Sequence, residues 1–216
     1  MLESLRISGI RVPRPVRSLD GRWVVGGWRA ERFLSGRPAP RFRDVLAVAF
    51  ELDRALHNVE APRFVQERAD RYGWLDRLSW DPDADPGGRM GDSDASKMWF
   101  ELASGRAPID AARQVIHGDL FGNVLFAGSA PPAVIDFTPL ARPAGFASAL
   151  VVVDAAAWGG APVSLALEGR DVPGWDQLLR RACLFRLAMV LTHPRATREA
   201  VARLTSAITA LRPHLG

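Results

Sequence analysis

Lysine is almost absent from this 216-residue chain: of 28 lysines and arginines, only Lys97 is a lysine. That bias points to a GC-rich coding sequence and carries no chemistry of its own. Cysteine occurs once, at Cys183, inside an apolar helical pattern. One cysteine excludes an internal disulfide framework, fits a reducing cytosol and reads as a small core residue. Long apolar runs are missing too. The longest, Ala147 to Trp158, is too short to span a bilayer and is interrupted by Asp154, so no membrane partner is expected. Met1 to Arg6 shows no basic region leading into an apolar stretch, so no signal peptide is read and the expected location is the cytoplasm. The net charge of +4 is spread along the chain rather than clustered, which argues against a nucleic-acid partner. No internal repeat or low-complexity tract stands out. A hydrophobic content of 48% with 24% charged residues suffices for a sizeable core.

Against this background one stretch is conspicuous: His117-Gly-Asp-Leu-Phe-Gly-Asn-Val-Leu-Phe126, followed by Val134-Ile-Asp-Phe137. Asp119, Asn123 and Asp136 lie at the ends of short apolar, strand-like runs. Polar groups converging at strand termini suggest a site carried by a rigid scaffold. Phosphoryl transfer needs such a set, with one carboxylate to orient the attacking hydroxyl and an amide and a second carboxylate to hold Mg²⁺ against the phosphates. Two blander readings stand beside it. His117 and Asp119 are also the ligand types of a metal hydrolase, although His57, His193 and His214 fall in unrelated helical segments. Asp119 and Asn123 are also common turn formers, which leaves Asp136 at the end of an apolar strand without an account.

The order His-Gly-Asp, Asn-Val-Leu, Ile-Asp-Phe resembles the catalytic and metal loops of the aminoglycoside phosphotransferase and choline kinase-like family, small-molecule relatives of the protein kinases. The family's gap from Asp to Asn is five residues; here Asn123 follows Asp119 by four. The resemblance implies an α+β, protein kinase-like fold, with a mostly helical large lobe at residues 37–216 and a truncated small-lobe hairpin at residues 1–36. It implies ATP and Mg²⁺ as cofactors and a small-molecule hydroxyl as acceptor. Asp119 becomes the catalytic base, and Asn123 and Asp136 the metal ligands. His117 supports the loop, and Asp154 braces the loop's backbone from a buried helix. Phe33 and Leu34, before a hinge at Ser35-Gly36, become the adenine contact. The family's glycine-bearing strand pair, strand lysine and helix glutamate have no counterparts in the chain. The resemblance therefore implies weak or no turnover, and the alternative is a non-catalytic binding or scaffolding module.

Elsewhere the pattern predicts elements. Residues 10–34 read as β, with a turn at Leu19-Asp20-Gly21 and a strand from Trp23 towards Leu34 that Gly26-Gly27 breaks or bulges. Helical spacing runs from Arg43 to Asn58, with Val45, Val48, Ala49, Leu52 and Leu56 apolar and Asp53 on the polar side. A second helix is expected over Arg63 to Leu78, an acidic loop over Asp81 to Asp94 and a helix over Ala95 to Ser104. A buried helix follows over Ala147 to Trp158, then an amphipathic one over Trp175 to Thr192, and Pro194 opens a last one. Trp74, Trp80 and Trp99 are core residues first and stacking platforms second.

Overall fold

In the computed structural model, which describes residues 5–216, the core grows from two helices. Helix α1 (Phe42–Leu56) buries Val45, Val48, Ala49, Leu52 and Leu56, the stripe its spacing predicts. It also buries Asp53, which the sequence reading assigned to the polar face. The reason is non-local: the Asp53 carboxylate caps the amide of Gly145 at 2.7 Å, at the start of a helix 92 residues further on.

The expected helix over Arg63 to Leu78 is two helices, α2 (Arg63–Gln66) and α3 (Arg71–Trp80). Asp70 breaks the run by accepting the Gly73 amide as an N-cap. Gly73 is required where it stands, because a Cβ there would meet the Arg68 carbonyl at 2.0 Å. Helix α4 (Asp94–Ser104) starts on a Ser93 cap and buries Trp99, whose indole donates to the Leu184 carbonyl. Trp80 is partly buried against the core, with the guanidinium groups of Arg142 and Arg181 each 4.7 Å from its ring.

The N-terminal β region is sparser than expected. Pro15–Val16 (β1) pairs with Ala30–Glu31 (β2), and Val25 bridges Trp28 across Gly26 and Gly27, both at positive φ. Four longer strands carry the motif. Strand β3 (Arg113–His117) pairs antiparallel with β6 (Pro139–Pro143), and β4 (Val124–Ala127) with β5 (Ala130–Val134). Arg11 docks on β5 at Ala133, and Arg37 pairs with Phe126 on β4.

Helix α5 (Phe146–Asp154) is buried along its whole length and passes directly into a π-helical turn, Ala155–Gly159. Helix α6 (Trp175–Leu191) packs across it, and α7 (Arg198–Leu211) closes the layer. Helix α7 begins on a Thr197 cap, later than Pro194 suggested. Among the described residues no helix is long and apolar enough to cross a membrane.

Candidate active site

The two sheets deliver the motif residues to one place. Strand β3 ends at His117 and β6 begins at Pro139, its register partner. The Asn123 carbonyl accepts the Ile135 amide at 3.0 Å, extending the β4–β5 pairing to the threshold of Asp136. The loop of residues 118–122 is thus held at both ends by paired strands. Inside it the Asn123 side-chain amide donates to the Asp119 carbonyl at 2.7 Å, and its backbone amide donates to Leu120. This hydrogen bonding closes the loop that is one residue shorter than the family's.

His117 is fully buried and ties two loops together. Its Nδ1 accepts the Asp119 amide at 3.1 Å, so its Nε2 carries the proton and donates to the Ile135 carbonyl at 3.2 Å. Burial pushes the imidazole down to about 4, which keeps it neutral and leaves both roles intact at neutral pH. Phe137 packs edge-on against the ring at 4.9 Å. Both ring nitrogens of His117 are thus committed to protein groups.

Asp119 is anchored a second time, through its side chain. The Arg186 guanidinium, on α6, donates to Asp119 Oδ1 at 2.9 Å and to both oxygens of Asp154 at 2.8 and 2.6 Å. Burial pushes the Asp154 carboxyl up and opposes the Arg186 charge as well. The two carboxylates nonetheless raise Arg186 above its ordinary value, so the guanidinium stays charged. The expectation that Asp154 braces the loop's amides is corrected here. Its oxygens serve Arg186, and the loop amides of Asp119 and Asn123 go to His117 and Leu120. The brace acts on the side chain of Asp119 instead.

Sequence reasoning missed Arg186. The signal was present, because Arg186 falls on the apolar stripe of α6 between Cys183 and Val190, and a lone charge there needs a buried partner. Asp154, equally isolated in an apolar helix, is that partner.

Asp136 differs from Asp119. It is the one non-glycine residue at positive φ (49°) among those described, and its side chain is 73% exposed. Arg29, on the N-terminal hairpin, reaches to 4.0 Å from its Oδ1. Phe33 is 90% exposed and Leu34 half-buried, just before the segment that pairs with β4 at Arg37 and Phe126. Lys97 stands on α4, exposed and paired with Asp94.

A model of the phosphotransferase enzyme family, APH, matches residues 1–141. The chain belongs to that family. No curated protein sequence matches it. Among solved structures, the chain is similar to a thermostable mutant of aminoglycoside phosphotransferase APH(4)-Ia in a ternary complex with ADP and hygromycin B. The identity is 13% and the TM-score 0.62, over 98% of this chain and 80% of that one. The apo form of such a mutant gives 14% identity and a TM-score of 0.58 over the same shares. Spectinomycin phosphotransferase APH(9)-Ia, in complex with ADP and spectinomycin, gives 11% and 0.50, over 94% of this chain and 77% of that one. The shared fold is the α+β, protein kinase-like one that the motif implied.

Proposed function

We propose that this member of the family transfers the γ-phosphoryl group of ATP to a hydroxyl of a small molecule. The observation that carries the reading is the unequal treatment of two carboxylates. Asp119 is held at its amide by His117 and at one oxygen by Arg186, while its Oδ2 takes no hydrogen bond among the described residues. A carboxylate fixed on one side and open on the other suits a group that must orient a hydroxyl and accept its proton. Asp136 is exposed and strained, as a group waiting for a ligand would be.

The donor set fits Mg²⁺ delivered with a nucleotide. Magnesium takes one or two carboxylates together with phosphate oxygens and water, and needs no protein cage. Among the described residues no cluster of three or more His, Cys, Asp or Glu offers such a cage. The Asn123 amide oxygen and the Asp136 carboxylate would hold the ion, because the Asn123 amide nitrogen is already turned to the Asp119 carbonyl. When bound, Mg²⁺·ATP supplies the phosphoryl group and neutralises its developing charge. Asp119 aligns the acceptor oxygen and takes its proton. Arg186 keeps Asp119 from rotating. His117 keeps the base and the metal loop in register. Phe33 and Leu34 form the adenine shelf, and the chain divides into a small-lobe remnant at residues 1–36 and a large lobe at residues 37–216. ADP in the ternary complex with hygromycin B and in the spectinomycin phosphotransferase complex supports a nucleotide here and an acceptor of similar chemistry. The lone buried cysteine, its thiol pushed up to about 12 by burial, fits a cytoplasmic protein.

Turnover is expected to be weak, because the sole lysine is an exposed residue of α4 paired with Asp94 and makes no contact with Asp119 or Asp136 among the described residues. That same fact favours the second reading, a nucleotide-binding or scaffolding module without catalysis. One pair of measurements decides. Mg²⁺ with AMP-PNP should raise the thermal midpoint, and Asp136→Ala should remove the rise, read against that variant's own apo midpoint because alanine fits the left-handed backbone less well than aspartate. ADP release should depend on an added hydroxyl acceptor, tested with hygromycin B, spectinomycin and choline. A midpoint rise without acceptor-dependent turnover selects the binding module. A full rise in Asp136→Ala removes Asp136 from the metal site.

A further inference from the structure

The pairing of Arg29 with Asp136 is a side-chain contact between the N-terminal hairpin and the end of β5, beside the backbone bridge of Arg11 to Ala133. Arg29 precedes β2 on the N-terminal hairpin, and Asp136 follows β5. The guanidinium approaches Asp136 Oδ1 to 4.0 Å, with side chains 55% and 73% exposed, and its Nε lies 3.7 Å from Glu31. An exposed pair at that distance is weak and readily exchanged. A guanidinium is a planar fork of donors that matches phosphate oxygens in pairs, and phosphate is a better partner for it than one distant carboxylate oxygen. Any phosphate chain drawn to a metal at Asp136 would lie within a few ångströms of that fork.

Resting on the nucleotide reading above, we propose that Arg29 is the phosphate-holding cation of this site. In the free protein it balances the charge of Asp136. When the metal and nucleotide arrive, Asp136 turns to the metal and Arg29 passes to the β- and γ-phosphate oxygens. The hairpin then acts as a strap whose closure depends on the phosphates. Glu31, whose Oε1 lies 3.7 Å from Nε, is the other carboxylate beside the guanidinium. The chain thus has a clamp made from arginine, at a place where its single lysine is not available.

Calorimetric titration with Mg²⁺·AMP-PNP and with adenosine, which has no phosphate, tests this on residues 1–216. Arg29→Ala should weaken Mg²⁺·AMP-PNP binding by about ten- to a hundred-fold, the range of a charged hydrogen-bonded contact. Adenosine binding should not change. Arg29→Lys, which keeps the charge and loses the fork, should recover part of the affinity. The thermal midpoints of both variants should match the native one, since the side chain is exposed. Native affinity in Arg29→Ala, alongside loss of binding in Asp136→Ala, would overturn the clamp and leave the phosphotransferase reading standing. Equal loss of adenosine and AMP-PNP would also overturn it, making the hairpin an adenine support. Failure of the native chain to bind Mg²⁺·AMP-PNP would overturn both.

Discussion

Replacing Asp53 with asparagine should alter how stability varies with pH. Asp53 is buried at the start of α5, and burial pushes its carboxyl from 3.8 up to about 7, with the Gly145 amide opposing the push. Between those values the folded protein holds a proton that the unfolded chain has lost, so stability falls as pH rises. Above pH 7 the full penalty is about 4 kcal/mol. His117 runs the other way. Its folded value of about 4 lies below the ordinary 6.5, so the unfolded chain gains a proton first on acidification. Stability from that source is present above 6.5 and is lost towards 4, by about 3 kcal/mol. The contributions of Asp53 and His117 thus oppose each other between about pH 4 and 6.5. Asp53→Asn removes the slope of Asp53 and leaves that of His117 in place. Relative to the native protein, the variant should therefore gain about 4 kcal/mol between about pH 4 and pH 7.5. Urea unfolding followed by tryptophan fluorescence across that range gives the difference, with constant m-values as the check on two-state behaviour. Groups common to both proteins drop out on subtraction. A constant offset remains, because Asp53 Oδ1 has no partner among the described residues and an amide N–H there costs about 1–3 kcal/mol. A difference that stays flat to within about 1 kcal/mol across the range would refute the argument, and would mean that water or a donor reaches Asp53.

Three further outcomes follow from the site. Arg186→Met should destabilise the protein by about 3–5 kcal/mol by stranding Asp154 in the core, and Asp154→Leu added to it should restore most of that loss; denaturant titration of the two variants checks both. Asp119→Asn should lower acceptor-dependent ADP release by about a hundred- to ten-thousand-fold with little change in midpoint, and undiminished release would remove Asp119 as the base. Asp136→Gly should raise apo stability by up to about 1 kcal/mol by relieving the left-handed backbone, while abolishing the Mg²⁺-dependent midpoint rise; a loss of apo stability would count against strain at Asp136.

What could be read from the sequence was local. The apolar stripe of α1, the run of α4, and the buried course of α5 follow from spacing that neighbours within a turn or two enforce. The polar trio was legible because its residues punctuate apolar strands. Partnerships formed across the fold were not. Asp53 is inward because a glycine amide 92 residues away needs an acceptor. Asp154 was legible as a buried carboxylate, but its partner lies 32 residues downstream, and only the packing of α6 on α5 brings the two together. The break between α2 and α3 had a local signal in Asp70, which the apolar spacing on either side obscured. The N-terminal segment was read as longer strands because β-branched and aromatic residues fill it. Many of them, including Val24, Val25 and Trp28, are instead exposed on a hairpin with two paired positions.

The neutral ring of His117 has one more consequence. It joins the amide of Asp119 to the carbonyl of Ile135, so the two loops share a single hydrogen-bonded joint. A displacement of either loop must move that joint or break it. Occupancy on one side and occupancy on the other are then linked quantities. If a ligand at Asp136 tightens the grip on one at Asp119 by some factor, the second must tighten the first by the same factor. Cooperativity between nucleotide and acceptor would need no domain motion in this protein, and loosening it would take only the loss of one imidazole.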